Sequence, residues 1–329
     1  MIVSIHQELF SLQNHSWVES VMSFFYEERH IWFIDNEEAI FESEWFRENT
    51  PNKQQIIRDN IEKCISHYEN ERTYYLNLPL FSIDTQSQNT ARTILQAPLY
   101  LITEGDSDRI FLNRLVDKFV KVKNHFAEKI KVALQNHWAI VVGGGGNNWE
   151  KEMNNLYLTY RNHRIFVLSD SDKLFSTHES PKNKSVKKEC TKKNIPFHVL
   201  YKREVENYLP LKAVEIFAKD IGKSAIYEDF KALSHAERDF YDMENGFLAG
   251  TEREYFNIQQ ANGLFISLTD AQISRLATGF GNKSKIMTYF SDSITANDLI
   301  EHCKHHPILA HQHPKGEMID LLSKIAKAL

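Results

Sequence analysis

Cysteine is scarce in this chain: Cys64, Cys190 and Cys303 are the only three in 329 residues, with no paired spacing between them. That excludes a zinc-knuckle pattern, argues against a disulfide scaffold and suits a reducing cytoplasm. Long apolar runs are lacking as well. The longest, WAIVV at 138–142, covers five residues, whereas a bilayer-spanning helix needs roughly 20. The opening MIVSIHQELF has no basic stretch ahead of an apolar one, so no signal peptide is expected. Nor is there an excess of positive charge: 39 Lys and Arg stand against 44 Asp and Glu, a net charge of −5. A protein that coats nucleic acid through bulk charge is thereby excluded. An enzyme that grips phosphodiesters through metal ions and a local basic strip is not. No Gly-Lys-Ser/Thr follows the one glycine-rich run, and no Gly-x-Ser-x-Gly occurs, so ATP binding and serine-nucleophile hydrolysis are not expected.

What is present falls into three parts: residues 1–95, 96–212 and 213–329. Over 1–83, Trp17, Val18, Val21, Met22, Phe24 and Phe25 recur at helical spacing, and Ile56, Ile57, Ile61, Cys64, Ile65 and Tyr68 repeat the pattern after Pro51. This stretch reads as a mostly helical, aromatic-rich module whose aromatics form core. The polar segment DTQSQNTARTILQA at 84–97 reads as a linker or a crossing segment and marks the first boundary. Beyond it the texture changes to short apolar strands, LYLIT (99–103), WAIVV (138–142), IFVL (165–168) and FHVL (197–200), separated by longer amphipathic stretches. That rhythm predicts a Rossmann-like parallel α/β sheet covered on both faces. Ligands of such sheets collect beyond the carboxyl ends of the strands. From Pro210 onward the pattern is helical again.

Acids cluster where that rule places a site. Glu104-Gly105-Asp106-Ser107-Asp108 follows the first of these strands, and Asp170-Ser171-Asp172 follows the third. Asp106, Ser107 and Asp108 are also good helix-cap residues, and Asp-Ser-Asp is good turn chemistry. Four carboxylates from two neighbouring strand ends nevertheless make an all-oxygen donor set, which suits Mg²⁺ or Mn²⁺ better than zinc. Loops that point apart, or a lysine or arginine plugging the gap between them, would reduce the catalytic reading to a fold label. Six lysines between 182 and 193 form a basic strip, with Lys187, Lys188, Lys192 and Lys193 as candidate nucleic-acid contacts. Residues 143–146 are four consecutive glycines, suited to close backbone approach. His302, His305, His306, His311 and His313 do not match a zinc spacing.

Strand-Glu-Gly-x-x-Asp, a strand ending in Gly-Gly and strand-Asp-x-Asp together resemble the Toprim fold of topoisomerases, primases and the overcoming-lysogenisation-defect nucleases. The resemblance covers about residues 97–210. The segment KREVENYL at 202–209 is similar to one found in Toprim-containing bacterial defence nucleases. The resemblance implies Glu104 as metal ligand or general acid/base, Asp108, Asp170 and Asp172 as Mg²⁺ or Mn²⁺ ligands, and Glu206 as a further acid of the site. It also implies a charge-stabilising lysine from a later segment, for which Lys283 and Lys285 are the candidates. Glu104, Asp170 and Lys283 would carry catalysis. The activity so implied is metal-dependent hydrolysis of DNA or RNA by an anti-phage effector under a partner ATPase, with a homodimer left open. The primase cysteines and a topoisomerase tyrosine cannot be assigned. The rival expectations are a primase-like nucleotidyl transferase and a non-catalytic protein-interaction module.

Overall fold

A computed structural model of the chain describes residues 1–70, 80–143, 148–247, 251–281, 283–290, 294–304 and 316–329. The architecture is α/β, with two parallel sheets flanked by helices. The first sheet has β1 (Ile2–Ile5) between β2 (Ile31–Trp32) and β3 (Leu80–Ile83), all parallel. Residues 1–83 are therefore not simply helical. These strands run only two to four residues, too short to show a period between long helical patterns.

Helix His15–Tyr26 buries Val18, Val21, Met22, Phe24 and Phe25, the stripe that its spacing predicts. Its Phe25 ring stacks on Trp32 at 5.6 Å, and Trp32 in turn stacks on Phe10 at 5.8 Å. The aromatics of this part are core. The polar stretch at 84–97 is not a free linker either. It folds as helix Gln88–Gln96, because Ala91, Ile94 and Leu95 share one face and bury it.

The second sheet has β4 (Leu99–Thr103), β5 (Ala139–Gly143), β6 (Ile165–Ser169) and β7 (Phe197–Val199) in the order β5-β4-β6-β7, all parallel. Alternate side chains feed two cores. Leu99, Leu101, Phe166 and Leu168 join one; Ile102, Ile165 and Val167 join the other. The first of these cores continues without a break into the helices beyond residue 210, through residues such as Phe217, Phe280 and Leu321. The last part of the chain is thus packed on the sheet through a shared interior. Among the described residues, no helix is long and apolar enough to cross a membrane.

One buried carboxylate ties the end of the chain to the sheet. Glu317, 1% exposed at the start of helix Glu317–Ala328, meets His198 Nε2 at 3.1 Å on Oε1. The same oxygen accepts from the Tyr201 N–H at 2.8 Å, and Oε2 accepts a short hydrogen bond from the Tyr208 hydroxyl. Burial works against the charge of Glu317, but His198 and these donors hold its pKa below the ordinary carboxylate value. Glu317→Ala removes the buried acceptor that His198, the Tyr201 N–H and the Tyr208 hydroxyl share. It is expected to cost about 3–5 kcal/mol in a denaturant titration. A loss under about 1 kcal/mol would show that the network carries no such weight.

Candidate active site

Because the strands of the second sheet are parallel, the residues after β4, β6 and β7 emerge along one edge. After β4, Glu104 is followed by the helix Asp106–Val120. Asp108 Oδ2 accepts from the Gly105 N–H at 2.8 Å, the capping role its position predicts. Its Oδ1 is buried and without a hydrogen-bond partner. Asp106 is turned outward and pairs with Arg109 at 3.1 Å, away from the other acids.

After β6, the Asp170 N–H donates to Glu104 Oε1 at 3.0 Å, and the Ser169 hydroxyl donates to the same oxygen at 3.1 Å. The two strand ends are therefore tied directly to each other. Asp170 is 2% exposed; its Oδ1 accepts from the Val205 N–H at 3.0 Å. Asp172 adopts φ +49°, a left-handed conformation that Asp tolerates better than most side chains. The Ser171 and Asp172 N–H groups both donate to the Arg203 carbonyl at 3.0 Å, fixing that turn against the segment after β7. That segment carries Glu204 and the short turn Val205–Tyr208, which buries Glu206 to 1% exposure with neither carboxylate oxygen hydrogen-bonded.

Two lysines stand among these acids. Lys182 Nζ makes a short ion pair with Glu104 and lies 3.0 Å from Asp172 Oδ2. Lys283 Nζ lies 2.9 Å from Asp170 Oδ2, 3.3 Å from Glu204 Oε2 and 3.5 Å from Glu206 Oε2. Arg203 is shared between Asp242, at 2.8 Å, and Glu204, at 3.5 Å.

Carboxyl groups outnumber ammonium groups here. Glu104, Asp108, Asp170, Asp172, Glu204 and Glu206 face two ammonium groups, and Arg203 is matched by Asp242. Burial raises the pKa values of Glu104 and Asp108, and raises those of Asp170 and Glu206 well above the ordinary value, despite the nearby lysines. Burial also opposes ionisation of Glu204, but there Lys283 and Arg203 outweigh it and the pKa falls. For both lysines burial favours the neutral form, yet the surrounding carboxylates prevail and hold their pKa values above the ordinary range.

The donor set contains only oxygen, with buried oxygens on Asp108 and Glu206 that accept no hydrogen bond. In chemistry it fits a hard divalent cation. In arrangement, Lys182 and Lys283 are inserted where a cation would compete. Among the described residues, no three or more His, Cys, Asp or Glu side chains are grouped as a bound ion requires.

Lys283 was expected from a late segment and lies among the acids. Lys285 does not; it faces Asp220 at 3.7 Å on the exposed side of helix Lys283–Thr288. In the basic strip, helix Pro181–Lys193 pairs Lys187 with Glu179 at 2.8 Å and Lys193 with Glu189 at 2.6 Å. Lys184, Lys188 and Lys192 remain exposed on it, a stripe at i, i+4 and i+8. Lys182 and Glu204 were not singled out from the sequence. Lys182 has the same local signal as its five neighbours, and only its place in the first helical turn after Pro181 turns it inward. The glycines after Gly143 and the histidines from His305 to His313 lie outside the described residues. No family model, no curated protein and no solved structure matches the chain.

Proposed function

We propose that the chain is a divalent-metal-dependent phosphodiesterase acting on nucleic acid, of the Toprim type. The observation that carries this reading is the surplus of buried carboxylate over ammonium at one sheet edge. Uncompensated buried charge is costly, and strongly perturbed acids concentrate at functional sites. Glu104, Asp108, Asp170, Asp172 and Glu206 would hold Mg²⁺ or Mn²⁺. When bound, such an ion supplies charge neutralisation and an activated water for phosphodiester hydrolysis.

The chain's own residues have distinct tasks in this reading. The Asp170 N–H and Ser169 hydroxyl orient Glu104. Lys283 stabilises negative charge that develops on the phosphoryl oxygens. Lys184, Lys188 and Lys192 contact the substrate backbone without reading sequence. The resemblance further suggests a cytoplasmic anti-phage effector governed by an ATPase in trans.

The test is incubation with supercoiled plasmid, linear DNA and transfer RNA in Mg²⁺, Mn²⁺ or chelator. Shortened products that require metal support the proposal. Incorporation of labelled nucleotide would point instead to a nucleotidyl transferase. A second reading, favoured by the inserted lysines, is that acids and lysines form a purely structural ion cluster. Calorimetry separates the two, because that cluster binds no Mg²⁺.

A pH dependence follows from the raised carboxyl groups. Glu104, Asp108, Asp170 and Glu206 titrate higher folded than unfolded. Metal-free stability therefore falls as pH rises from about 4, the unfolded value, through their elevated folded values. Glu204 and Glu317 are held low, so their contribution is lost below about pH 4, outside that window. Metal binding requires the ionised acids. The melting shift produced by Mg²⁺ is expected to grow from pH 5 to pH 8, with a gain of about 2.7 kcal/mol once the ion reaches 100 times its Kd. A shift that is absent or independent of pH would contradict this.

A further inference from the structure

A second charged site lies at the opposite edge of the same sheet, and its sign is reversed. A cavity of about 290 Å³ opens between the first part of the chain and helix His125–Gln135, lined among others by Phe25, Arg29, His30, Lys63, Phe126 and Lys129. Its Arg29 and His30 hydrogen-bond the carbonyls of Leu95, Gln96 and Ala97, which lead into β4, whereas the carboxylates follow β4 and β6. Five-residue strands put about 16 Å between the two edges.

Arg29 and His30, which line it, each hold a buried nitrogen without a hydrogen-bond partner. Arg29 Nη2 donates to the Gln96 and Ala97 carbonyls at 2.6 and 2.7 Å, but its Nε–H is buried without a partner. His30 is 2% exposed, and its Nε2 lies 2.9 Å from the Leu95 carbonyl, so Nε2 must be the donor. Burial, with Arg164 and Arg29 nearby, holds His30 neutral. Its Nδ1 is therefore an acceptor, and it too is buried and unpartnered.

Positive charge accumulates behind these groups. Arg164 is fully buried and donates only to main-chain oxygens of Ala97, Trp138 and Leu329. Burial and Arg29 lower its pKa to about 9. Neither arginine pairs with an Asp or Glu side chain among the described residues. Glu28 also faces the cavity, but it is taken up by a short ion pair with Lys63. Glu27 is near enough to favour the charge on Arg29, though not to form an ion pair. Phe25, Ile31 and Phe126 supply apolar surface to a wall that also holds Asn60, His67 and His125.

We propose that this cavity binds a nucleoside monophosphate. The guanidinium of Arg29, with Lys129 and Arg164 near, takes the phosphate. His30 Nδ1 takes a base amino or ribose hydroxyl hydrogen, and Ile31 and Phe126 take the flat base. The site shares no residue with the carboxylate edge, so it stands or falls apart from the phosphodiesterase reading.

The test is calorimetry on the full chain in chelator, with AMP, GMP, CMP, UMP and inorganic phosphate as separate probes. At least one mononucleotide is expected to bind one-to-one, about tenfold or more tighter than phosphate. Arg29→Gln should weaken it by a further factor of about ten. Since Arg29 also braces two carbonyls, Phe126→Ala provides a second variant, expected to weaken the nucleotide while leaving phosphate unchanged. Asp170→Asn should leave binding intact. The proposal is overturned if no mononucleotide binds at millimolar concentration, if phosphate binds as tightly, or if Asp170→Asn abolishes binding.

Discussion

Asp170→Asn is expected to lower metal-dependent cleavage by about 10²–10³-fold or more while leaving the fold intact. The amide oxygen can still accept from the Val205 N–H, and Lys283 keeps Glu204 and Glu206 as partners. Burial already pushes the Asp170 carboxyl strongly toward its neutral form, so a neutral isostere costs little. A change in unfolding free energy within about 1 kcal/mol is anticipated. Rates of plasmid conversion, measured beside thermal melts, check both halves. A variant that folds and cuts at the parental rate removes Asp170 from the chemistry, and with it the assignment.

Lys283→Met has the larger effect on stability. The ammonium is the nearest cation to Asp170, Glu204 and Glu206 together, and methionine leaves three buried carboxylates facing one another. Removing one side of a buried ion cluster costs about 3–5 kcal/mol. The loss should be read by urea denaturation at neutral pH without metal. Two treatments should restore it: lowering the pH, which protonates the acids, and adding Mg²⁺. Cleavage should stay depressed even after Mg²⁺ restores the fold, because the group that stabilises transition-state charge is gone. If acid restores stability and Mg²⁺ does not, the structural ion cluster is the correct account.

Strands β4 and β6 were legible because LYLIT and IFVL are apolar on both faces, as a doubly covered sheet demands. Glu104, Asp170 and Asp172 were legible as strand-end acids for the same reason. β1 and β3 were not, since four residues beside strong helical patterns carry too little periodicity. The polar stretch at 84–97 misled because three apolar side chains suffice to seat a helix when they share a face. Asp108 shows that cap and acid are not exclusive readings: one oxygen caps, the other is left for the site. Lys182 was hidden by its neighbours. Composition cannot say which lysine of six turns inward when the answer depends on where a helix begins relative to a loop far upstream at Glu104.

The carbonyl of Ala97 has a consequence for any attempt to divide the chain. It accepts from Arg29 on one side and Arg164 on the other, at 2.7 and 2.9 Å. Both its lone pairs are spent on bracing the strand that begins two residues later. A cut at 95/96 looks natural on paper, yet it would take one brace from that carbonyl and leave the Arg29 guanidinium without the two main-chain oxygens it grips. The two halves are better regarded as a keystone and its arch than as beads on a string.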